Sequence, residues 1–513
     1  MGKFVKIEPI RRDLAAIISG GRASTALVDK IAYARDLWPR HHMLVRGGEP
    51  APSPPGIVVW PGDTREVAEI VRYASERGLP LVPYGAGSGV CGGILPTPTS
   101  IVVDLKRLRA LRSVDAERLE AVAGAGIIGQ HLEDYLGDRG FTLGHFPSSI
   151  YCSTLGGWIA GRSAGQCSGR YGKIEDMVLG LEMVDGRGEI LRASQGGPDE
   201  ALLPLVIGSE GTLAIVTEAR LRVAPAPRER RFAAYEFPET IEGLEALRHL
   251  YQAGLRPAVG RLYDPFDSYM ARRGKVKGEP KGGAGAGGQA PGLGTRLLVR
   301  ALRRPSALNE LVELVPSKLF GGAMLILVWE SEPSLAEAEL LEAKRICAQL
   351  GGRDLGEGPG RRWLAHRHSV SYRQSPILAG GGFLDTMEVA ATWSRMFPMY
   401  LAVRAALAPH VFVMAHFSHA YPDGASIYFT FAGSRSSEEE SLAAYDRTWK
   451  AALQAVTDAG GTLSHHHGVG RSKAAAMRRE QGAAIDVVRE LKHVLDPQGI
   501  LNPGTLIPLE PAS

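Results

Sequence analysis

At 513 residues, 44% of them hydrophobic and 22% charged, the chain has the make-up of an ordinary globular protein and is too long for a single core, so two or three domains are expected. Its formal net charge is only +4, and no basic run is interleaved with aromatics, which argues against a nucleic-acid partner but suits an anionic substrate or a lipid surface. No apolar run reaches transmembrane length, and Met1-Gly2-Lys3-Phe4 opens no signal-peptide core. The four cysteines, Cys91, Cys152, Cys167 and Cys347, show neither a C-x-x-C pair nor metal-type spacing and read as reduced thiols. A cytoplasmic protein with peripheral membrane contact is the expectation.

Residues 1–50 read as an N-terminal helical segment, with a helix around Ser24 to Leu37 and no chemistry. A domain is expected over residues 51–227. Ile57 to Val59 is a short apolar strand closed by Pro61, and Thr64 opens a helix with Val67, Ile70, Val71 and Ala74 at helical spacing. An apolar run from Leu79 leads into Pro83, Tyr84, Gly85, Ala86, Gly87, Ser88 and Gly89. The three glycines leave N–H groups unscreened by side chains, so a diphosphate can lie against them. A nicotinamide-type loop needs G-x-G-x-x-G between a strand and a helix, and here more glycine and a strand-like Ile101 to Leu105 follow, which excludes that class. A tight glycine turn without a ligand is the alternative for this loop taken alone.

Leu119 to Gly126 alternates as a strand, and a helix from Ile128 to Leu136 is stopped by Gly140. Strands separated by glycine turns fill Met177 to Val223, and Pro225 and Pro227 mark a boundary. A cap domain is expected over residues 228–440. It holds an edge strand at Phe232 to Phe237, a helix at Thr240 to Leu250, a buried strand at Met324 to Glu330 and a helix at Leu335 to Leu350. Its Gly-rich stretch, Gly278 to Gly294, has too little apolar surface to hold itself in place and is expected to be mobile, as a surface insertion or a lid. Residues 441–513 form a C-terminal segment carrying His465-His466-His467.

Three stretches follow the glycine loop in a set order. They are Gly144-His145-Phe146-Pro147-Ser148-Ser149 running to Ser153-Thr154-Leu155-Gly156-Gly157-Trp158, then Gly161-Arg162-Ser163-Ala164-Gly165, then Gly208-Ser209-Glu210-Gly211-Thr212-Leu213. Together they resemble the FAD-binding domain of the vanillyl-alcohol oxidase family. The resemblance implies an α+β fold, a two-subdomain FAD-binding domain under an α+β cap. It places the FAD diphosphate on Pro83 to Gly89. Further contacts would come from Ser148, Ser149, Ser153 and Thr154, from Gly161, Arg162, Ser163 and Ala164, and from Glu210, Gly211, Thr212, Leu213, Ala214, Ile215 and Val216. Ser148 departs from the aspartate usual in the family. No residue stands out as a covalent flavin anchor, so non-covalent FAD is expected.

Two later stretches separate members of this family: His416-Phe417-Ser418-His419 running to Ile427-Tyr428-Phe429, and Ser464-His465-His466-His467-Gly468. Flavin-linked D-2-hydroxy-acid dehydrogenases carry H-x-G-D-G-N-x-H and S-G-E-H-G there and build a metal site. Here the G-D-G-N element is absent and His466 stands where the glutamate would be, so no metal is expected. The stretches are similar instead to the alkyl-dihydroxyacetonephosphate synthase family. That similarity implies exchange of the acyl chain of acyl-dihydroxyacetonephosphate for a fatty alcohol, with no net redox, by a homodimer acting on a lipid-like small molecule. An FAD-linked oxidase or dehydrogenase of a hydroxy acid or alcohol is the alternative.

By the same resemblance Tyr428 transfers the proton, Arg373 binds the acyl carboxylate, and His465, His466 and His467 complete the catalytic set. Arg261 is a second cation candidate, for phosphate. A phenol is a poor base at neutral pH unless its neighbours favour the anion, and the histidine run is the expected source of such neighbours. As a strand, that run would point His465 and His467 one way and His466 the other. His416 and His419 stay open between lining the site and serving as core polar residues.

Overall fold

The computed structural model describes residues 6–49, 53–273, 292–368 and 375–508. They form two compact units, residues 1–226 with 463–513 and residues 227–462. No helix among the described residues is long and apolar enough to cross a membrane. The Gly-rich stretch expected to be mobile lies outside the described residues up to position 291.

In the first unit, the strand Ile57–Val59 passes through the helix Thr64–Arg77 to the strand Leu81–Tyr84, and both strands pair in parallel with Ile101–Asp104 between them. The helix begins where Asp63 accepts from the Glu66 N–H and ends at Gly78 in the left-handed region, with φ +60°. Val67, Ile70 and Val71 are fully buried beneath the sheet, each contributing about 2 kcal/mol of apolar burial. An antiparallel sheet follows, in the order Leu111–Asp115, Glu120–Gly124, Ala214–Arg222, Val178–Asp185, Ile190–Ser194, with Trp158, Leu155 and Ile174 in the core against it.

The helix expected from Ser24 to Leu37 is not continuous. Ser24 enters a two-residue strand paired with Val58, and helices span Leu27–Ala32 and Pro39–Arg46. Two local effects break it. The residue before a proline avoids the helical region, and the Asp36 carboxylate accepts from the Trp38 N–H, turning the chain. The expected C-terminal segment is divided: residues 441–462 belong to the second unit and residues 463–513 to this one, where Leu501 bridges Leu81 and Lys492 Nζ donates to the carbonyls of Thr212 and Leu501.

The second unit is built on one antiparallel sheet of seven strands among the described residues. Its order is Arg353–Asp354, Arg231–Phe237, Ala323–Trp329, Val259–Tyr263, Phe412–Ser418, Gly424–Gly433, Phe383–Thr392. The strand expected at the edge, Phe232 to Phe237, sits one place inside it, because Tyr235 and Glu236 pair with the two-residue strand Arg353–Asp354. All seven residues of Ala323–Trp329 are buried, as a central strand covered on both faces requires. Helices Thr240–Gln252, Pro333–Gln349, Trp393–Leu407 and Glu438–Asp458 complete the unit.

Candidate active site

Pro83 and Tyr84 close the strand Leu81–Tyr84, and the glycine loop follows. A Cβ on Gly85 would lie 2.3 Å from Thr154 Oγ1, and one on Gly87, at φ +64°, would lie 2.4 Å from the Tyr84 hydroxyl. Only bare backbone fits there. The N–H groups of Gly85, Ala86, Gly87, Ser88 and Gly89 have no acceptor among the described residues. Consecutive unsatisfied amides of this kind form an anion cradle, the arrangement a diphosphate needs. Lys106 braces the loop from below, with Nζ 2.9 Å from the Gly85 carbonyl and 2.7 Å from Asp104 Oδ2.

Of the other expected cofactor residues, Thr154 meets this loop at Gly85 and Gly211 meets the strand before it at Pro83, and several are already engaged elsewhere. Thr154 caps the helix Leu155–Ala160 by accepting from the Gly157 N–H at 3.3 Å. Ser153 Oγ donates to the Ser149 carbonyl and accepts from Trp158 Nε1, while Ser148 Oγ accepts from Gln166 Nε2. Gly161 ends the helix; Arg162, at φ +52°, pairs with Glu175 at 3.2 Å; Ser163 Oγ meets Nε2 of the buried His145 at 2.8 Å; Ala164 is buried. Gly211 packs on Pro83, and Thr212, Leu213, Ala214, Ile215 and Val216 are buried, which leaves chiefly their backbone to meet a cofactor. The Glu210 carboxylate is taken by the N–H groups of Val469 and Gly470.

His465, His466 and His467 do not form a strand. They lie in a bend that leads to Gly468 at φ +81° and Gly470 at φ +54°, conformations that break a ladder. The Nδ1 atoms of His465 and His466 approach to 2.9 Å, so one donates to the other, and successive rings stand nearly perpendicular.

In the second unit, Tyr428 lies on the strand Gly424–Gly433, directly opposite His416 on one neighbour and Glu388 on the other. The His416 ring stacks on Tyr428 at 4.7 Å, and His419 Nε2 is 3.2 Å from the phenol oxygen. His419 holds φ +49°, a strained setting for a histidine that aims its ring at Tyr428. Arg261 Nη2 lies 2.6 Å from His416 Nε2. A guanidinium only donates, so Nε2 is the acceptor and the His416 proton sits on Nδ1, which donates to Asp267 Oδ2 at 3.2 Å. Burial, and then the Arg261 cation, hold His416 well below its ordinary value, so the ring is neutral.

Asp267 is pushed up to about 7 by burial, with Arg261 pulling it down. Burial, then the Glu388 carboxylate, hold the Tyr428 phenol well above its ordinary value, with Arg261 acting the other way. Within this unit the surroundings therefore oppose phenol ionisation on balance. Arg373 lies outside the described residues. Sequence reasoning missed Lys106, Asp267 and Glu388. Lys106 had a signal, two residues past an aspartate that ends a strand; the other two come to their partners only through long-range pairing.

Residues 55–194 match the family model of the FAD binding domain, and residues 226–506 match that of the FAD linked oxidases, C-terminal domain. The chain is 28% identical over 495 residues to the alkyldihydroxyacetonephosphate synthase of Trypanosoma brucei brucei, covering 93% of this chain and 76% of the relative. It is 26% identical over 464 residues to the D-lactate dehydrogenase of Archaeoglobus fulgidus, covering 88% of this chain and 91% of that one. It shares its fold with a solved alkyldihydroxyacetonephosphate synthase, with a TM-score of 0.76 at 24% identity, covering 96% and 84% of the two chains. With one family model spanning more than half of the chain, this protein belongs to the FAD-linked oxidases and is an FAD-dependent enzyme.

Proposed function

We propose that the enzyme exchanges the acyl chain of an acyl-dihydroxyacetonephosphate for a fatty alcohol, forming an ether bond without net redox. The observation that carries this reading is the setting of Tyr428, bonded to His419 and stacked on a neutral His416 of fixed tautomer, which equips the residue for moving protons. Similarity to a named synthase over 93% of the chain supports it. Bound FAD would supply a nucleophilic flavin nitrogen to the carbon that loses the acyl chain.

The remaining chemistry falls to the protein. Tyr428 takes a proton from that carbon and later returns it. A neutral phenol first has to give up its own proton, and His419 Nε2, 3.2 Å away, is an acceptor within reach. Arg261 is the cation that lowers the energy of the transient phenolate and is assigned to the substrate phosphate. Arg373 is assigned to the departing carboxylate, and His465, His466 and His467 to the same reaction. The acyl chain leaves as a carboxylate and the alcohol loses one proton, so atoms and charge balance.

The test is exchange of solvent deuterium into that carbon. Wild-type enzyme should wash deuterium in, and Tyr428→Phe should stop the exchange while keeping its FAD. Equal exchange in both would remove Tyr428 from the role. The similarity to D-lactate dehydrogenase supports a second reading, oxidation of a hydroxy acid, for which bleaching of the flavin by such acids is the sign.

A further inference from the structure

Glu210 was expected to touch the cofactor, yet its carboxylate faces the histidine turn. Oε1 accepts from Val469 N at 2.5 Å, and Gly470 N donates to Oε2 at 2.9 Å and to Oε1 at 3.2 Å. Glu210 itself is held on two further sides. Its N–H donates to the Ala160 carbonyl at 2.9 Å, and its own carbonyl accepts from Asn502 Nδ2 at 2.7 Å. Its φ of +53° is a backbone setting that an ordinary residue keeps only when its surroundings enforce it.

The turn answers with glycine at both contacts. A Cβ on Gly468 would come within 3.0 Å of Glu210 Oε1, and one on Gly470 within 2.0 Å of the Cys91 carbonyl, which also accepts from Arg471 N and Ser472 N. The turn is thus gripped between Glu210 and Cys91. Lys473, only 1% exposed, sets a positive charge facing the carboxylate. Gly211, next in the chain, packs on Pro83, so the residue that grips the turn is one peptide from a glycine that touches the strand leading into the glycine loop.

We propose that Glu210 is a positioning residue for the histidine turn, fixing the backbone from His465 to Gly470, and is not a ligand of the cofactor. The assignment of the turn to the reaction rests on the reading given above; the grip of Glu210 on the turn does not.

The test uses flavin-loaded protein and the isosteric Glu210→Gln, whose amide turns an N–H toward one of the two backbone donors. Amide hydrogen exchange at Val469 and Gly470 should quicken by about tenfold or more with FAD content unchanged. Gly468→Ala, which presses on the same carboxylate from the turn, should give the same pattern. If the synthase reading holds, kcat should fall about tenfold with KM unmoved. Loss of FAD with exchange unchanged would make Glu210 a cofactor ligand and overturn the proposal, as would unchanged exchange with unchanged FAD. Exchange is read without turnover, so an enzyme that makes no ether would sink the synthase reading and leave this result standing.

Discussion

Asp264, just past the strand that carries Arg261, is the brace behind Tyr428. It accepts from Arg404 Nη1 at 3.0 Å, from Ala415 N at 2.8 Å and from Asp267 N at 2.8 Å. Those last two amides fix the backbone that presents His416 and Asp267. The Asp264 side chain is 2% exposed and that of Arg404 15%, so removing either partner strands a charge, at about 3 kcal/mol. Asp264→Asn and Arg404→Met should each lose that much in urea unfolding. The double variant should lose well under the sum, a coupling of about 2 kcal/mol once the partial exposure of Arg404 is allowed for. The measurement belongs at pH 8, because burial pushes the Asp264 carboxyl up to about 6. At pH 8 that carboxyl is ionised and the pair is charged on both sides. Single losses that add to within about 0.5 kcal/mol would refute the reasoning.

Three further outcomes are expected. Gly85→Ala should cut FAD occupancy about tenfold, because its Cβ meets Thr154 Oγ1 at 2.3 Å, and Thr154→Ala in the same chain should recover part of it; full flavin absorbance in the single variant would contradict the cradle. His145 is held down to about 3 by burial, so the fold keeps it neutral while the unfolded chain takes up the proton near pH 6.5. Acidification to pH 5 should then destabilise wild type relative to His145→Gln by about 2 kcal/mol, and parallel stability curves would exclude this linkage. Arg261→Gln should raise KM for a phosphorylated substrate about tenfold at unchanged FAD content, whereas an equal KM would release Arg261 from the phosphate.

The bare glycine loop was legible because its requirement is local. Bare amides at Gly85, Gly87 and Gly89 follow from residue type alone, and the order of the later motifs names the cofactor. The helix Thr64–Arg77 was legible for the same reason, with its cap, its spacing and its terminal glycine all in one stretch. The surroundings of Tyr428 were not. His416, Glu388, Arg261 and Asp267 reach it through pairings across four strands and a following helix, and no local pattern reveals that register. Local reading also misassigned what tertiary contacts decide. His465-His466-His467 alternates on paper, but the glycines after it and the Glu210 carboxylate bend it into a turn. The stretch from Ser24 to Leu37 reads as one helix, yet strand pairing at Ser24 and the Asp36 turn before Pro39 divide it.

The direct test of the proposed reaction is to incubate the purified, flavin-loaded protein anaerobically with palmitoyl-dihydroxyacetonephosphate and labelled hexadecanol while following the flavin spectrum. Labelled ether product with no persistent loss of flavin absorbance is the predicted result. Absence of ether, together with bleaching by hydroxy acids or alcohols, would contradict it and make the enzyme an oxidoreductase on the same fold.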